Sequence, residues 1–390
     1  MKFWMKTRKR NKRTEDLFFA ALRSALWAGT PLPAGTSAEW EAVCVEAHRQ
    51  AVIGLVTEAL LNHKVKMGRK ASMAAFSSYV KIQRTNAYID RELLDFTERI
   101  ASLGIRFVVV KGQVAARAYP DPSVRQPGDI DLYLDADNYR KAVRLLPAEL
   151  GIRFLETTEA RESGLHTNFF RNDVNYEVHY HLARFYYPPH DRFFEALLSE
   201  GFRTPVTEDV QGKPVPTLPP ALHTLYLFVH IFGHYLREGI GLRQLCDLVL
   251  WLYRYKDDEA FRQTLLDSLH GIGLTRAFSA FGWVMVERLG LPEEVLPLPL
   301  TAADRRRGQR IERDLLAAGN FGIHQTRRVH GAGLAHSLES GWILLRKAVL
   351  NFPIAPMEFL CIFPRVGWEH VRDFCRSVVN IFRPSHGGDF

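Results

Sequence analysis

The chain has 390 residues, 47% of them hydrophobic and 24% charged, with a formal net charge of +8 and a pI of about 9.3. That composition excludes disordered, collagen-like and disulfide-scaffold proteins, and no run of about 18 uninterrupted apolar residues argues for a membrane span. The basic balance favours acidic partners such as nucleotides, nucleic acids or anionic membranes, without choosing among them.

The chain opens on a basic run of Lys2, Lys6, Arg8, Lys9, Arg10, Lys12 and Arg13. No apolar stretch follows it, so it does not read as a secretory signal. Residues 14–95 carry helical spacing, through Leu17, Phe18, Ala21, Leu22 and Leu26 and again through Val52, Leu55, Val56, Ala59 and Leu60. Gly29-Thr30-Pro31-Leu32-Pro33 separates the first two helices. A further helix runs from Asn86 to Leu103 and stops at Gly104, a residue suited to a helix C-terminus. The pattern then turns to strand at 105–110, ends at Lys111-Gly112, and resumes with one or two helical turns over 113–118. Tyr119-Pro120-Asp121-Pro122 stops those turns.

A strand is expected over 129–134, then a helix capped by Asp137 with Val143 and Leu146 inward, which Pro147 should end or kink. A hairpin follows, with strands 166–170 and 174–182 joined by Arg171-Asn172-Asp173. On its second strand Asn175, Glu177, His179 and His181 share one face. Residues 204–220, rich in proline, read as a strand and a linker into a helical region that begins near Ala221. The fold class is therefore α+β. A small mixed sheet is flanked by helices, with a basic arm and helical region at 1–95, a core at 96–215 and a helical domain at 216–390. The four cysteines, Cys44, Cys246, Cys361 and Cys375, are far apart and show no CxxC spacing, as reduced residues of a cytoplasmic protein would.

The chemistry concentrates in Gly128-Asp129-Ile130-Asp131-Leu132. Alternation along a strand points Asp129 and Asp131 to one face and the apolar residues to the other. Two like charges that close repel unless a cation lies between them. Paired carboxylates are also the hard oxygen ligands that Mg²⁺ prefers when it carries phosphates.

With Lys111-Gly112, Tyr119-Pro120-Asp121-Pro122, Arg125, the Gly128–Leu132 motif and Glu177-Val178-His179, the chain resembles the nucleotidyltransferase superfamily that includes DNA polymerase beta and the aminoglycoside nucleotidyltransferases. More narrowly it resembles a bacterial family of uncharacterised nucleotidyltransferases. The likeness is strong over 105–182 and weaker through His223 to Trp251. It implies that Asp129, Asp131 and Glu177 hold two Mg²⁺ ions, that an NTP is the donor, and that Gly112 and Gly128 let backbone approach the phosphates. It further implies that Lys111 and Arg125 neutralise triphosphate charge. The implied reaction moves a nucleoside monophosphate to an acceptor, with a small molecule favoured over a polymer. In one departure, Gln113 follows Gly112 where the superfamily has Gly or Ser.

Two alternatives accompany this reading. The basic N-terminus and the cluster Arg305, Arg306, Arg307, Arg310 and Arg313 allow an RNA-modifying enzyme of toxin-like kind. Gln113 motivates a non-catalytic nucleotide-binding scaffold. His230 and His234, four apart on a helix, read as packing or pocket residues rather than zinc ligands, since no Glu adjoins His230. Arg243 and Asp247, also four apart, read as an intrahelical ion pair or as lining of the nucleotide cleft. The segment from Trp342 to Val379 reads as core helix or as a membrane-surface element.

Overall fold

The computed structural model describes residues 11–155, 164–237, 239–319 and 349–361. Most of the basic run and most of the Trp342–Val379 segment lie outside these residues. Helices α1 (Lys12–Leu26), α2 (Ser37–Arg49) and α3 (Ile53–Asn62) lead into α4 (Arg69–Ser102). Thr36 and Glu39 close α2 with a reciprocal capping box. α4 begins earlier than expected and absorbs the helix read at 86–103. Its buried stripe runs Ile82, Asn86, Ile89, Leu93, Phe96 and Ile100, steps of three and four residues that keep one face inward.

The sheet has the order β1-β2-β4-β3, from β1 (Val108–Val110), β2 (Ile130–Tyr133), β3 (His166–Arg171) and β4 (Val174–His179). β1 and β3 pair antiparallel to their neighbours, while β2 and β4 run parallel, so the sheet is mixed. A five-residue helix, α5 (Gly112–Ala116), follows β1, and α6 (Ala136–Leu150) follows β2. One face of the sheet is apolar. Phe169 stacks on Tyr176 with centroids 4.8 Å apart, and Phe96 of α4 closes on Tyr176 at 4.7 Å. The other face carries the polar residues.

Several local expectations are corrected. Asp135, not Asp137, caps α6, accepting from the Asn138 N–H at 2.9 Å. Val143 is 42% exposed while Leu146 is fully buried. Pro147 does not end α6. It lies in the last turn, and the carbonyl it leaves unserved belongs to the exposed Val143, where water can reach. The hairpin turn is two residues, Asn172 (φ 49°) and Asp173 (φ 60°), both left-handed, the geometry that matches strand twist. β4 stops at His179 rather than 182.

Residues 204–220 hold the expected strand, but what reads as a linker is a second one: β5 (Val206–Val210) and β6 (Lys213–Thr217) form a hairpin closed by Gln211-Gly212. Pro214 and Pro216 cannot donate and so sit on an isolated two-stranded ribbon, where proline is tolerated. Thr217 Oγ1 ties the ribbon to β1 by donating to the Val109 carbonyl at 2.7 Å.

After α7 (Pro188–Arg203), the helical half comprises α8 (Pro220–Arg237), α9 (Leu242–Arg254), α10 (Glu259–Gly271), α11 (Thr275–Glu287) and α12 (Ala302–Ala318). A single apolar core runs from Leu17 through the sheet to Phe359. The N-terminal helices close back on the helical half: Arg23 donates to the Arg288 carbonyl at 3.0 Å and Trp27 Nε1 to the Leu289 carbonyl at 2.5 Å. Cys44, Cys246 and Cys361 are free thiols. No helix among the described residues is long and apolar enough to cross a membrane.

Candidate active site

Strand register builds the site. Asp131 of β2 lies opposite Glu177 of β4, and Asn168 of β3 lies on the far side of Glu177. Partners in adjacent strands project to the same face, so these three form one polar row. Tyr133, His179 and His166 form the next. Asp129 stands one residue before β2 with the parity of Asp131. Carboxylate oxygens of Asp129, Asp131 and Glu177 all lie within 4.8 Å of one another.

The buried charges around Asp131 are compensated. Lys111 Nζ donates to Asp131 Oδ1 at 2.6 Å, and His179 Nε2 lies 3.0 Å from the same oxygen and 3.3 Å from Glu177 Oε2. Burial alone would raise the Asp131 carboxyl, but Lys111 and His179 hold it well below the usual range. Burial likewise opposes charge on Lys111, but Asp131 together with Tyr226, Glu177 and Asp129 outweighs it, so the ammonium is held protonated. Glu177 has no such guard. Burial, with the neighbouring Asp131 and Asp129 charges adding, pushes it up to about 7 against the pull of His179. Burial disfavours protonated His179, yet its hydrogen bonds to Asp131 and Glu177 raise it. Burial, then the positive charge of His179 and Lys111, depresses His166 to about 4.

The turn after β1 is strained. Lys111 has φ 55°, unusual for a side chain with a Cβ, and Gly112 follows with φ 36°. A buried histidine braces it: the Lys111 N–H donates to His223 Nε2 at 3.1 Å. Burial drives His223 down to about 3, so the ring is neutral and can accept.

The motif's remaining residues reach the helical half. Arg125, 4% exposed, grips Asp247 of α9 with Nε–Oδ1 at 2.7 Å and Nη2–Oδ2 at 2.8 Å. Tyr119 donates to Asp247 Oδ1 at 2.7 Å. Asp247 thus pairs with Arg125, not with Arg243 as helical spacing suggests. Arg243 instead reaches the loop before β2, donating to the Pro127 carbonyl at 3.2 Å. A Cβ on Gly128 would stand 3.2 Å from its guanidinium.

All seven residues nominated from sequence, Lys111, Gly112, Arg125, Gly128, Asp129, Asp131 and Glu177, line one cavity of about 500 Å³. Leu227, His230 and His234 of α8 and Arg243 and Gln244 of α9 wall its other side. The His230 and His234 rings meet edge to face with centroids 4.4 Å apart, and neither joins a metal-capable cluster among the described residues. Gln113 faces away from the cavity: it is 3% exposed and its amide donates to Asp90 of α4. Of the cavity residues not read from sequence, Asn168 was accessible through its parity with His166 on an alternating strand. Gln244 carried no signal.

No curated protein matches the chain. Among solved structures it is similar to an antigenic nucleotidyltransferase-like protein from Paracoccidioides brasiliensis, at 15% identity and a TM-score of 0.30, over 46% of this chain and 87% of that one. Residues 36–290, well over half the chain, match the family described as uncharacterised nucleotidyltransferase, and the chain belongs to that family.

Proposed function

We propose that the protein transfers a nucleoside monophosphate from an NTP to a small-molecule acceptor, with a divalent metal held by Asp129, Asp131 and Glu177. The observation that carries this reading is the parallel register of β2 and β4, which sets Glu177 beside Asp131 on the cavity floor with Asp129 two residues away. The donor set fits Mg²⁺, being all carboxylate oxygen with the ligand atoms already within 4.8 Å. Bound there, the metal would neutralise phosphate charge and lower the pKa of the acceptor hydroxyl for in-line attack. The chain's own residues supply the rest. Lys111 offers an ammonium beside Asp131, positioned to pass from that carboxylate to a phosphate oxygen when a metal takes its place. The Gly112 turn, with no Cβ, leaves backbone open to the ligand. Arg243 brings a second cation to Gly128. Arg125, doubly bonded to Asp247, holds the loop in place instead of contacting phosphate. A cavity of about 500 Å³ closed by α8 and α9 suits a small acceptor better than a polymer.

The test is calorimetric titration of the four NTPs, with Mg²⁺ and with chelator, into wild type and Asp129→Asn/Asp131→Asn. One NTP should bind only with Mg²⁺, and the double variant should lose that binding. A folded wild type that binds none of the four would sink the reading.

A further inference from the structure

We infer that the protein carries a second metal site of different chemistry: His166, Glu177 and His179 form a two-nitrogen, one-oxygen pocket for a transition-type dication such as Zn²⁺. It lies one row along the sheet from the Asp131–Glu177 pair and shares only Glu177 with the carboxylate set. It does not rest on the nucleotidyl-transfer reading.

Three observations converge. The ligand atoms of the three side chains lie within 4.8 Å of one another. His166 Nε2 is buried in a residue 5% exposed, makes no hydrogen bond, and faces Glu177 Oε1 at 3.9 Å. That separation is too long for a hydrogen bond. An ion with bonds of about 2.0–2.1 Å spaces its ligand atoms roughly 3–3.5 Å apart, so the three side chains, whose ligand atoms lie within 4.8 Å of one another, would draw inward around it. His179 Nε2, at 3.3 Å from Glu177 Oε2, is already at that spacing.

The charges agree with the geometry. Asp131 is matched by Lys111 at 2.6 Å. Glu177 is not: its contacts are the two imidazoles and the Asn168 amide at 3.5 Å, with no Lys or Arg ion pair among the described residues. A buried carboxylate with no Lys or Arg partner stands beside an orphaned imidazole nitrogen, and a dication there, taking His179 Nε2 from its 3.0 Å contact with Asp131, would satisfy both. Mixed imidazole and carboxylate donors suit Zn²⁺, Co²⁺ or Mn²⁺, whereas Mg²⁺ prefers oxygen alone. The bound ion would fix Glu177 from the side of His166 and His179.

Metal-stripped full-length protein titrated with Co²⁺, without nucleotide, tests this, because the visible absorption of Co²⁺ reports its ligands. One Co²⁺ per chain should bind, Zn²⁺ should displace it, and excess Mg²⁺ should not. His166→Gln should abolish the spectrum and Asp129→Asn should keep it. Zn²⁺ should raise the Tm of wild type and of Asp129→Asn, a readout that stands whether or not His166→Gln folds. A folded wild type that binds neither Co²⁺ nor Zn²⁺ overturns the inference. So does a spectrum that survives His166→Gln and vanishes in Asp129→Asn, which would place the ion on the carboxylates. Absence of NTP binding would leave the Co²⁺ result standing.

Discussion

Gln113 stands where Gly or Ser is usual in the superfamily the chain resembles, and its environment gives that departure a physical meaning. Its amide donates to Asp90, which also receives Gln211 Nε2 at 3.2 Å and faces Arg117 at 3.5 Å. The side chain is a strut between α5, α4 and the β5–β6 turn. Gln113→Ser should therefore lower stability by about 1–3 kcal/mol in urea denaturation, the range for a buried polar partner lost. It should not tighten NTP binding; a clear gain in affinity would show that Gln113 obstructs the donor. Its place directly after Gly112 in the motif located the residue near the site, but only the fold could show which way it points. Alongside Glu58, which burial also pushes up to about 7, Glu177 contributes to the pH dependence. Its folded pKa, about 7, lies above the ordinary 4.5, so the native state holds the extra proton between those values. The stability contributed is full below about 4.5 and is lost as pH rises through about 7. Metal-free protein should thus weaken on the order of 1–3 kcal/mol across this window, and Glu177→Gln should flatten the slope. Urea midpoints from pH 5 to 8 measure it, and parallel slopes for the two proteins would refute it.

At the scale of elements, the strands and the Asp-x-Asp motif were legible because period-two alternation with a glycine turn is a local signal. The second strand of the β5–β6 ribbon was not, because Pro214 and Pro216 mask a strand whose pairing is decided by the Gln211-Gly212 turn. Nor was the contact that sets the loop before β2. Gly54 at the start of α3 packs so closely that a Cβ would stand 2.1 Å from the Val124 carbonyl oxygen. Asn86 of α4 grips the same loop, donating to the Ser123 and Arg125 carbonyls, each at 2.7 Å. The N-terminal helices thus hold the backbone that delivers Gly128 and Asp129. Gly54→Ala must displace backbone rather than a pliant side chain, at a cost of about 1–3 kcal/mol. Because the displaced turn leads to Asp129, Mg²⁺-dependent NTP affinity should fall with stability. Thermal melts and calorimetry on one preparation check the pairing, and a variant that loses stability but binds normally would show the turn to be independent of the site.

Across the whole molecule, the sequence motif supplies residues that face the cavity and residues that join the two halves around it, with Arg125 in both sets. Asp129, Asp131 and Glu177 face the cavity, whereas Tyr119 and Arg125 converge on Asp247 at the cavity's edge, and the Lys111 backbone meets His223. The weaker likeness through His223 to Trp251 covers these contacts: the helical half supplies the acceptors for a core that would otherwise bury unpaired donors. Residue types and order made the motif readable, but a pair separated by 122 positions, Arg125 and Asp247, has no spacing to betray it. Removing one partner of such a buried pair strands the other's charge. Asp247→Leu alone should therefore cost about 3–5 kcal/mol, and Arg125→Met alone a similar amount. The double variant, Arg125→Met/Asp247→Leu, replaces both charges with apolar volume and should recover much of that loss, leaving the Tyr119 hydroxyl as the remaining unpaired group. Urea denaturation of the four proteins gives the coupling directly. If Arg125 serves as a joint, the folded double variant should bind Mg²⁺–NTP as wild type does. If it binds none, the guanidinium leaves Asp247 for the triphosphate during the reaction, and the joint opens when the donor enters.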